Sequence, residues 1–478
     1  MAKGSSATVS PLLSRRPGTP IPQHLIVAIG AVIVLVPITA FLVANASMQI
    51  TLIATAAFVL LLIVLWSAEA SFYILIFSML LSPEFIAGDL AGRGTLQRGV
   101  TLRFDDYVIA IIALAWLVRL AVFKEASVLR RSPLNAPIFS YIGICALATA
   151  AGTFGGRVQP LTGTFFVLKY FEYMVIYFLV VNYARDRRQI ERLFWAALIT
   201  AAIISVIAIL QIPSGQRVTA PFEGEGGEPN TLGGYLVLMI SLALVFMSEA
   251  RRPLQYLAWG GFAGLMLLPL VYTYSRTSWL AFCAMLLAIT LLCRQKTAFI
   301  ALVAAGLIFM LISPPQAIIQ RASYTLSAAR DSITVAGFTI EPSAAARLES
   351  WVIAAEEAPE HPLIGWGVTG FGFIDSQYPR AIIETGLLGF LALTWVLWRL
   401  YRVGRQLQLE AADTFEWALA TGFLAGLAGM IMHGIGANTF IIVRIMEPFW
   451  LLAGLVVALL SLHQEPSGPP AQPASASG

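Results

Sequence analysis

The sequence predicts an all-α, polytopic integral membrane protein with about 12–14 transmembrane helices and one large extracytoplasmic loop. Three observations carry that expectation. Hydrophobic residues make up 58% of the 478-residue chain and charged residues 12%, whereas soluble domains carry about a quarter charged residues. Apolar runs close to the roughly 20 residues a bilayer requires recur along the chain, and basic residues concentrate on alternate loops. A soluble globule is excluded.

The runs lie at 24–44, 48–66, 70–87, 104–122, 136–152, 164–183, 191–212, 231–249, 253–273, 277–293, 297–313, 381–399, 415–435 and 444–462. The first, His24 to Ala44, is span-length and has no small-residue cleavage site after a short core, so it reads as an anchor and not a removed signal peptide. Omitting 70–87, which Pro83 and Glu84 interrupt, together with 136–152 leaves the later topology unchanged. A cytoplasmic N-terminus puts Arg15 and Arg16, Lys124 with Arg130 and Arg131, Arg185 to Arg192, Arg251 and Arg252, Arg294 and Lys296, and Arg399 to Arg405 on one side. That side is cytoplasmic by the positive-inside rule. The domain plan is a disordered cytoplasmic tail at 1–20, helices 1–11 over 21–313, an extracytoplasmic loop with amphipathic helices at 314–380, helices 12–14 over 381–462, and a second disordered cytoplasmic tail at 463–478. Cys145, Cys283 and Cys293 fall in or beside apolar segments without paired spacing, which supports neither a disulfide framework nor a zinc site.

The loop at 314–380 is the longest, and loops of that length usually carry function. Ser343 can cap a helix running to about Ala358, with Arg347 and Trp351 four apart on one face and Pro359 and Pro362 ending it. Gly365-Trp366-Gly367-Val368-Thr369-Gly370-Phe371-Gly372 follows. It has no strand–turn–helix context for a dinucleotide fingerprint and reads as a tight, closely packed loop against the membrane. Every basic residue assigned outside is arginine: Arg93, Arg98, Arg103, Arg157, Arg217, Arg276, Arg321, Arg330, Arg347, Arg380 and Arg444. Planar, permanently charged guanidinium suits a bidentate grip on phosphate, and the competing reading is that about half of them snorkel to lipid head groups. Arg217, in a loop ahead of Pro221-Phe222 and an acidic run, and Arg276, at a span end, are the arginines topology does not explain.

Several segments, in order and spacing, resemble the O-antigen ligase and polymerase superfamily. They are Arg217-Val218-Thr219-Ala220-Pro221-Phe222, Glu228-Pro229-Asn230-Thr231-Leu232-Gly233, Tyr274-Ser275-Arg276-Thr277-Ser278, Arg347-x-x-x-Trp351, His361-Pro362-Leu363-Ile364-Gly365-Trp366-Gly367, and Asp375-Ser376-x9-Gly386-x-x-Gly389. The resemblance covers roughly 100–462 and rests on the ordered set. It implies an integral-membrane glycosyltransferase of the plasma membrane, multi-pass, with both termini cytoplasmic and the active site extracytoplasmic. Its donor would be a polyprenyl-pyrophosphate-linked glycan, held by Arg217 and Arg276, with Arg347, Asn230, Ser275, Trp351 and Arg380 completing the substrate site. Its partners would be the lipid bilayer, a chain-length regulator and other polysaccharide assembly proteins, and no nucleic acid. Ligases of this superfamily have His, then Asn, Ser or Gln, nine residues before Gly-x-x-Gly; here Asp375 takes the His slot. That departure favours a polymerase, joining glycan to another lipid-linked repeat unit, over a ligase attaching it to a lipid or protein acceptor.

The chemistry can also be derived from the residues. Pyrophosphate is a good leaving group, so the enzyme must stabilise charge growing on it and deprotonate a sugar hydroxyl. Fixed arginines do the first by electrostatic preorganisation, without calling on a metal or other cofactor. Asp375 is a candidate for the second, as a carboxylate with a reference pKa of about 3.9; a helix cap ahead of Pro379 is the alternative for the same residue. Glu384 is the rival base, placed where a membrane carboxylate is functional or paired. Lys169 and Glu172, three apart in one span, read as a mutually neutralising pair, Asp105 and Asp106 as helix N-terminal acids, and His433 as a hydrogen-bonded core histidine. A lipid-linked oligosaccharide transporter or flippase is a further alternative class; internal repeats and paired broken helices would mark it, and the sequence shows neither.

Overall fold

The computed structural model describes Val59 and residues 62–63, 67–82, 84–86, 101–123, 130–223, 227–294, 333–335, 338–340 and 342–464. The expected spans 24–44 and 297–313, most of 48–66, the tails 1–20 and 465–478, and Arg93, Arg98, Arg321 and Arg330 lie outside these residues. The described chain is helical apart from two short antiparallel hairpins, β1 (Glu84–Ile86) with β2 (Thr101–Arg103) and β3 (Ile333–Val335) with β4 (Phe338–Ile340). The helices are α1 (Ala68–Leu81), α2 (Phe104–Phe123), α3 (Asn135–Phe154), α4 (Pro160–Tyr183), α5 (Arg187–Gln211), α6 (Pro229–Ser248), α7 (Pro253–Tyr272), α8 (Arg276–Leu292), α9 (Pro342–Glu357), α10 (Gln377–Glu410), α11 (Thr414–His433) and α12 (Val443–Gln464). Contacts group the chain into two units, Met1–Ser71 and Phe72–Gly478. The first includes the opening turn of α1, where Ser71 Oγ donates to the Ser67 carbonyl at 2.9 Å; the second holds the other elements.

Eight of these helices, α3 to α7 and α10 to α12, are long and apolar enough to cross a membrane, and α8 is a shorter apolar helix of 17 residues. This is a multi-pass membrane protein. Their starts follow local chemistry. Proline opens α4, α6 and α7, where its missing N–H is one of the unsatisfied donors of a first turn. Asp186 and Asp413 cap α5 and α11 by accepting the Gln189 and Glu416 N–H groups at 2.8 and 3.0 Å. Two expected spans differ from the helices found. The run at 70–87 is helical only to Leu81, because Pro83 cannot continue a ladder, and the chain turns into β1. The run at 381–399 lies within α10, which begins at Gln377 and extends to Glu410 but is broken at Gly386.

Burial sorts the helices. In α12, 89% of the span is buried, and in α6 83%, so these two form the bundle interior, against 22% in α7, which presents most of its surface outward. At one end of the bundle Arg187 gathers the α5 and α11 starts: its Nη1 donates to Glu416 Oε1 and its Nη2 to Asp413 Oδ2, both at 2.6 Å, and its Nε to Glu191 Oε1 at 2.8 Å. His463 Nε2 reaches Glu416 Oε2 at 3.0 Å, Arg294 stacks over Trp417 at 4.7 Å, and Arg399 Nε donates to the Pro133 carbonyl at 3.2 Å. The described basic clusters therefore share this end. The opposite end holds the starts of α6, α8, α10 and α12.

Candidate functional site

The tight turn between α7 and α8 is the first meeting point. Ser275 caps α8, its Oγ accepting the Ser278 N–H at 3.1 Å, and the same hydroxyl donates to Asn230 Oδ1 at 2.5 Å. Asn230 is the second residue of α6, and its Nδ2 donates to Glu228 Oε1 at 3.2 Å. Arg217 Nε donates to the Thr273 carbonyl at 3.1 Å, and the Val218 N–H to the Tyr272 carbonyl at 3.1 Å. Tyr274, at φ 52°, is left-handed without being glycine, a strained conformation that surrounding bonds must hold. Arg217, Asn230, Ser275 and Arg276, drawn from three separate stretches, thus converge on one turn. α6 and α8 both start at this turn, and a helix start favours anions.

The second meeting point is the start of α10. Arg347 on α9 places Nε 4.0 Å from Asp375 Oδ2, and the Asp375 N–H donates to Ser350 Oγ at 3.1 Å. Gln377 is the first helical residue and Ser376 holds the N-cap position, so Asp375 stands one residue ahead of the cap. Pro379, third in the helix, removes only a donor that the first turn leaves unsatisfied anyway. The Asp375 side chain remains 30% exposed, which leaves its carboxylate accessible. Trp351, one turn beyond Arg347, is also exposed.

A short loop between α11 and α12 joins the two points. The Gly436 carbonyl accepts from Thr277 Oγ1 at 3.3 Å, on the α8 side. Ser376 Oγ donates to the Ile435 carbonyl at 2.8 Å, the Gln377 N–H to the Gly434 carbonyl at 3.1 Å, and Asn438 Nδ2 to the Ile374 carbonyl at 2.8 Å, on the α10 side. A Cβ on Gly436 would sit 2.8 Å from Thr277 Oγ1 and 3.5 Å from Arg347 Nε, so both loci press against this glycine. Sequence reasoning missed this bridge. Its signal was a run of small and polar residues, Gly434-Ile435-Gly436-Ala437-Asn438-Thr439, at the end of a span.

The Gly-rich loop and Gly386-x-x-Gly389 prove to be one device. At Gly386 (φ 65°, ψ −168°) α10 breaks, and the loop inserts its backbone into the gap. The Trp366 and Gly367 N–H groups donate to the Ile383 and Glu384 carbonyls at 2.8 and 2.9 Å, while the Leu387 and Leu388 N–H groups donate to the Pro362 and Leu363 carbonyls at 2.8 and 3.1 Å. Those four groups are the ones that an unbroken helix would have paired with each other, so the break leaves none of them bare in an apolar setting. The other face of the loop packs on the α3–α4 turn, with Gly367 and Gly370 against Val158 and with Arg157 5.8 Å from the Trp366 ring centre. The loop is closely packed, as expected. The broken helix is not what the sequence led us to expect; among the described residues it is a single break, not a pair.

Glu384 lies at this break. Arg380 bonds its Oε1 through both Nε and Nη2 at 3.0 Å, the Thr369 N–H approaches Oε1 at 3.3 Å, and the Tyr170 hydroxyl donates to Oε2 at 3.4 Å. This carboxylate is occupied, and Arg380 with it. The remaining charged residues are likewise engaged. Lys169 pairs with Glu172 at 3.0 Å and with Asp106 across to α2, the neutralising arrangement expected of it. Arg103 bonds the Met79 carbonyl at 2.5 Å and Asp105 at 2.6 Å. Arg444, 2% exposed, donates to the Leu80, Ser82 and Pro221 carbonyls at 2.8, 3.1 and 3.0 Å. Neither Arg103 nor Arg444 reaches for lipid head groups; they tie α1, the Pro221 loop and α12 together.

Fold and composition define a multi-pass membrane protein with a polar, arginine-bearing end. Residues 261–394 match the family described as O-antigen ligase, which supports a membrane glycosyltransferase-like enzyme of the O-antigen ligase and polymerase superfamily. The match runs from α7 through the break in α10 and includes Ser275, Arg276, Arg347, Trp351, Asp375, Arg380 and Glu384; Arg217 and Asn230 precede it. No curated protein matches the chain.

Proposed function

We propose that the protein is a polysaccharide polymerase of the O-antigen and exopolysaccharide type. In this reading it transfers glycan from a polyprenyl-pyrophosphate donor to another lipid-linked repeat unit at the outer face of the plasma membrane. The observation that carries it is the convergence of Arg217, Arg276, Asn230 and Ser275 on the α7–α8 turn, coupled through Gly436 to the Arg347–Asp375 pair. The arginines and the two helix starts take up charge as the bond from the sugar anomeric carbon to pyrophosphate breaks. Asp375 removes the proton from the acceptor hydroxyl as its oxygen forms the new glycosidic bond. Glu384, closed off by Arg380, Tyr170 and Thr369, is the support of the site and not its base. Ligase is the second reading, favoured by the matched family description; Asp375 in the slot where ligases carry His argues for polymerase.

Deleting the gene and sizing surface glycan separates the readings: single repeats without polymer mark a polymerase, and polymer stranded on its carrier marks a ligase. Lipid-linked repeats trapped inside the cell would overturn both in favour of a flippase. In the restored strain, Arg217→Ala and Arg276→Ala should each lower glycan extension by about 100-fold, with Lys rescuing poorly because it lacks the planar fork. Normal polymer from both Ala variants at wild-type abundance would remove the clamp from the mechanism. For the side of the membrane, a cysteine at Gln216 in a Cys-free background should react with an impermeant thiol reagent in intact cells and one at Ala412 should not. The reverse pattern would put the site in the cytoplasm.

A further inference from the structure

His433 ends α11 with no exposed surface, wedged between α6, α8 and the loop to α12. A Cβ on Gly234 of α6 would sit 3.2 Å from its Cε1, so α6 packs closely on the ring. Its Nδ1 lies 2.7 Å from Thr439 Oγ1 and its Nε2 3.2 Å from Ser278 Oγ. From there the bonds run in one direction: Ser278 Oγ donates to Ser275 Oγ at 2.8 Å, Ser275 Oγ to Asn230 Oδ1 at 2.5 Å, and Asn230 Nδ2 to Glu228 Oε1 at 3.2 Å. With the Ser278 proton committed to Ser275, the imidazole donates from Nε2, and Nδ1 takes the Thr439 hydroxyl at 2.7 Å in competition with the more distant Ala437 carbonyl at 3.4 Å. Every link is then a donor facing an acceptor, and such chains strengthen cooperatively when water is excluded.

We propose that His433 is a positioning residue for the donor pyrophosphate, acting through Ser278 and Ser275 to orient the Asn230 amide and the first turn of α8 that begins with Arg276. The inference rests on the reading of Arg276 as part of the donor grip. Reversing the chain would turn the Asn230 carbonyl toward the Glu228 carboxylate, two acceptors face to face, so Glu228 at one end and the imidazole at the other hold the same direction of bonding. A phenyl ring of the same shape would fill the space and leave Ser278, Ser275 and the amide held from the Glu228 end alone.

The test uses the purified full-length chain in detergent with farnesyl pyrophosphate as probe, reading its Kd alongside thermal unfolding. His433→Phe and Ser278→Ala should each weaken binding about tenfold. His433→Gln, which restores a donor and an acceptor, should bind within about threefold of wild type, and the Phe and Ala changes combined should be far less than additive. Wild-type affinity in His433→Phe, with Arg276→Ala defective, would overturn the positioning role and leave the donor grip standing. Equal losses in Phe and Gln that track a fall in unfolding temperature would also overturn it, as a packing effect. Wild-type affinity in Arg276→Ala would overturn the donor grip itself and the inference with it. If His433→Phe fails to accumulate, Ser278→Ala decides alone.

Discussion

Asp375→Asn should reduce glycan extension by at least about 100-fold, the lower range for losing a general base, while membrane abundance and unfolding temperature stay at wild-type values. Asparagine keeps the size of the side chain but cannot take a proton from a sugar hydroxyl. Stability should hold because Ser376, and not Asp375, occupies the N-cap of α10, and the Asp375 main-chain N–H keeps its bond to Ser350 Oγ. Asp375→His should retain part of the activity, since imidazole is a competent base. Polymer length and protein abundance measured side by side check the claim. A well-expressed Asn variant making normal polymer would reduce Asp375 to an electrostatic partner of Arg347.

Gly386→Ala should abolish accumulation of folded protein, or lower its stability by more than about 4 kcal/mol where it can be purified. Two terms act together. The conformation at φ 65° and ψ −168° is one that residues with a Cβ essentially never adopt. A Cβ there would also lie 2.4 Å from the Leu363 carbonyl carbon and oxygen, backbone atoms held by the Leu388 bond and unable to step aside. Relieving the clash means withdrawing the loop, which strands the Ile383 and Glu384 carbonyls and the Leu387 and Leu388 N–H groups in an apolar bundle. Gly389→Ala serves as the comparison. Its new Cβ would meet both the Thr385 hydroxyl and the Thr385 Cβ, which no rotamer change moves, but Gly389 keeps helical angles, so the clash acts there without the backbone strain of Gly386 and the loss should be smaller. A Gly386→Ala protein that unfolds at the wild-type temperature would sink the account of the break.

Much of the architecture was legible because span length and loop charge act locally. A bilayer demands a run of about 20 apolar residues wherever the chain crosses it, and most described helices fall within a few residues of those runs. The helix at 342–357 was legible from the prolines past its end, although it begins at Pro342, so Ser343, expected to cap it, is already its second residue. The 70–87 run read as too long because hydropathy does not register where a proline ends the ladder. Among the site residues, Arg217, Asn230, Ser275 and Arg276 stood out as motifs. Their meeting did not, since it depends on bonds between segments more than 40 residues apart in sequence, Ser275 to Asn230 and Arg217 to Thr273.

Composition and local pattern suffice for the class of the protein and for the residue types available for phosphate and proton chemistry. Which of those residues act together depends on packing. Glu384 and Asp375 are both carboxylates near the start of α10, and the sequence leaves both as candidate bases. Packing separates them: it brings Arg380, Tyr170 and the Thr369 N–H onto Glu384 and leaves Asp375 accessible beside Arg347. The break at Gly386 was decided in the same way, because a helix gives up its own hydrogen bonds only where another stretch of backbone, here 362–367, supplies replacements.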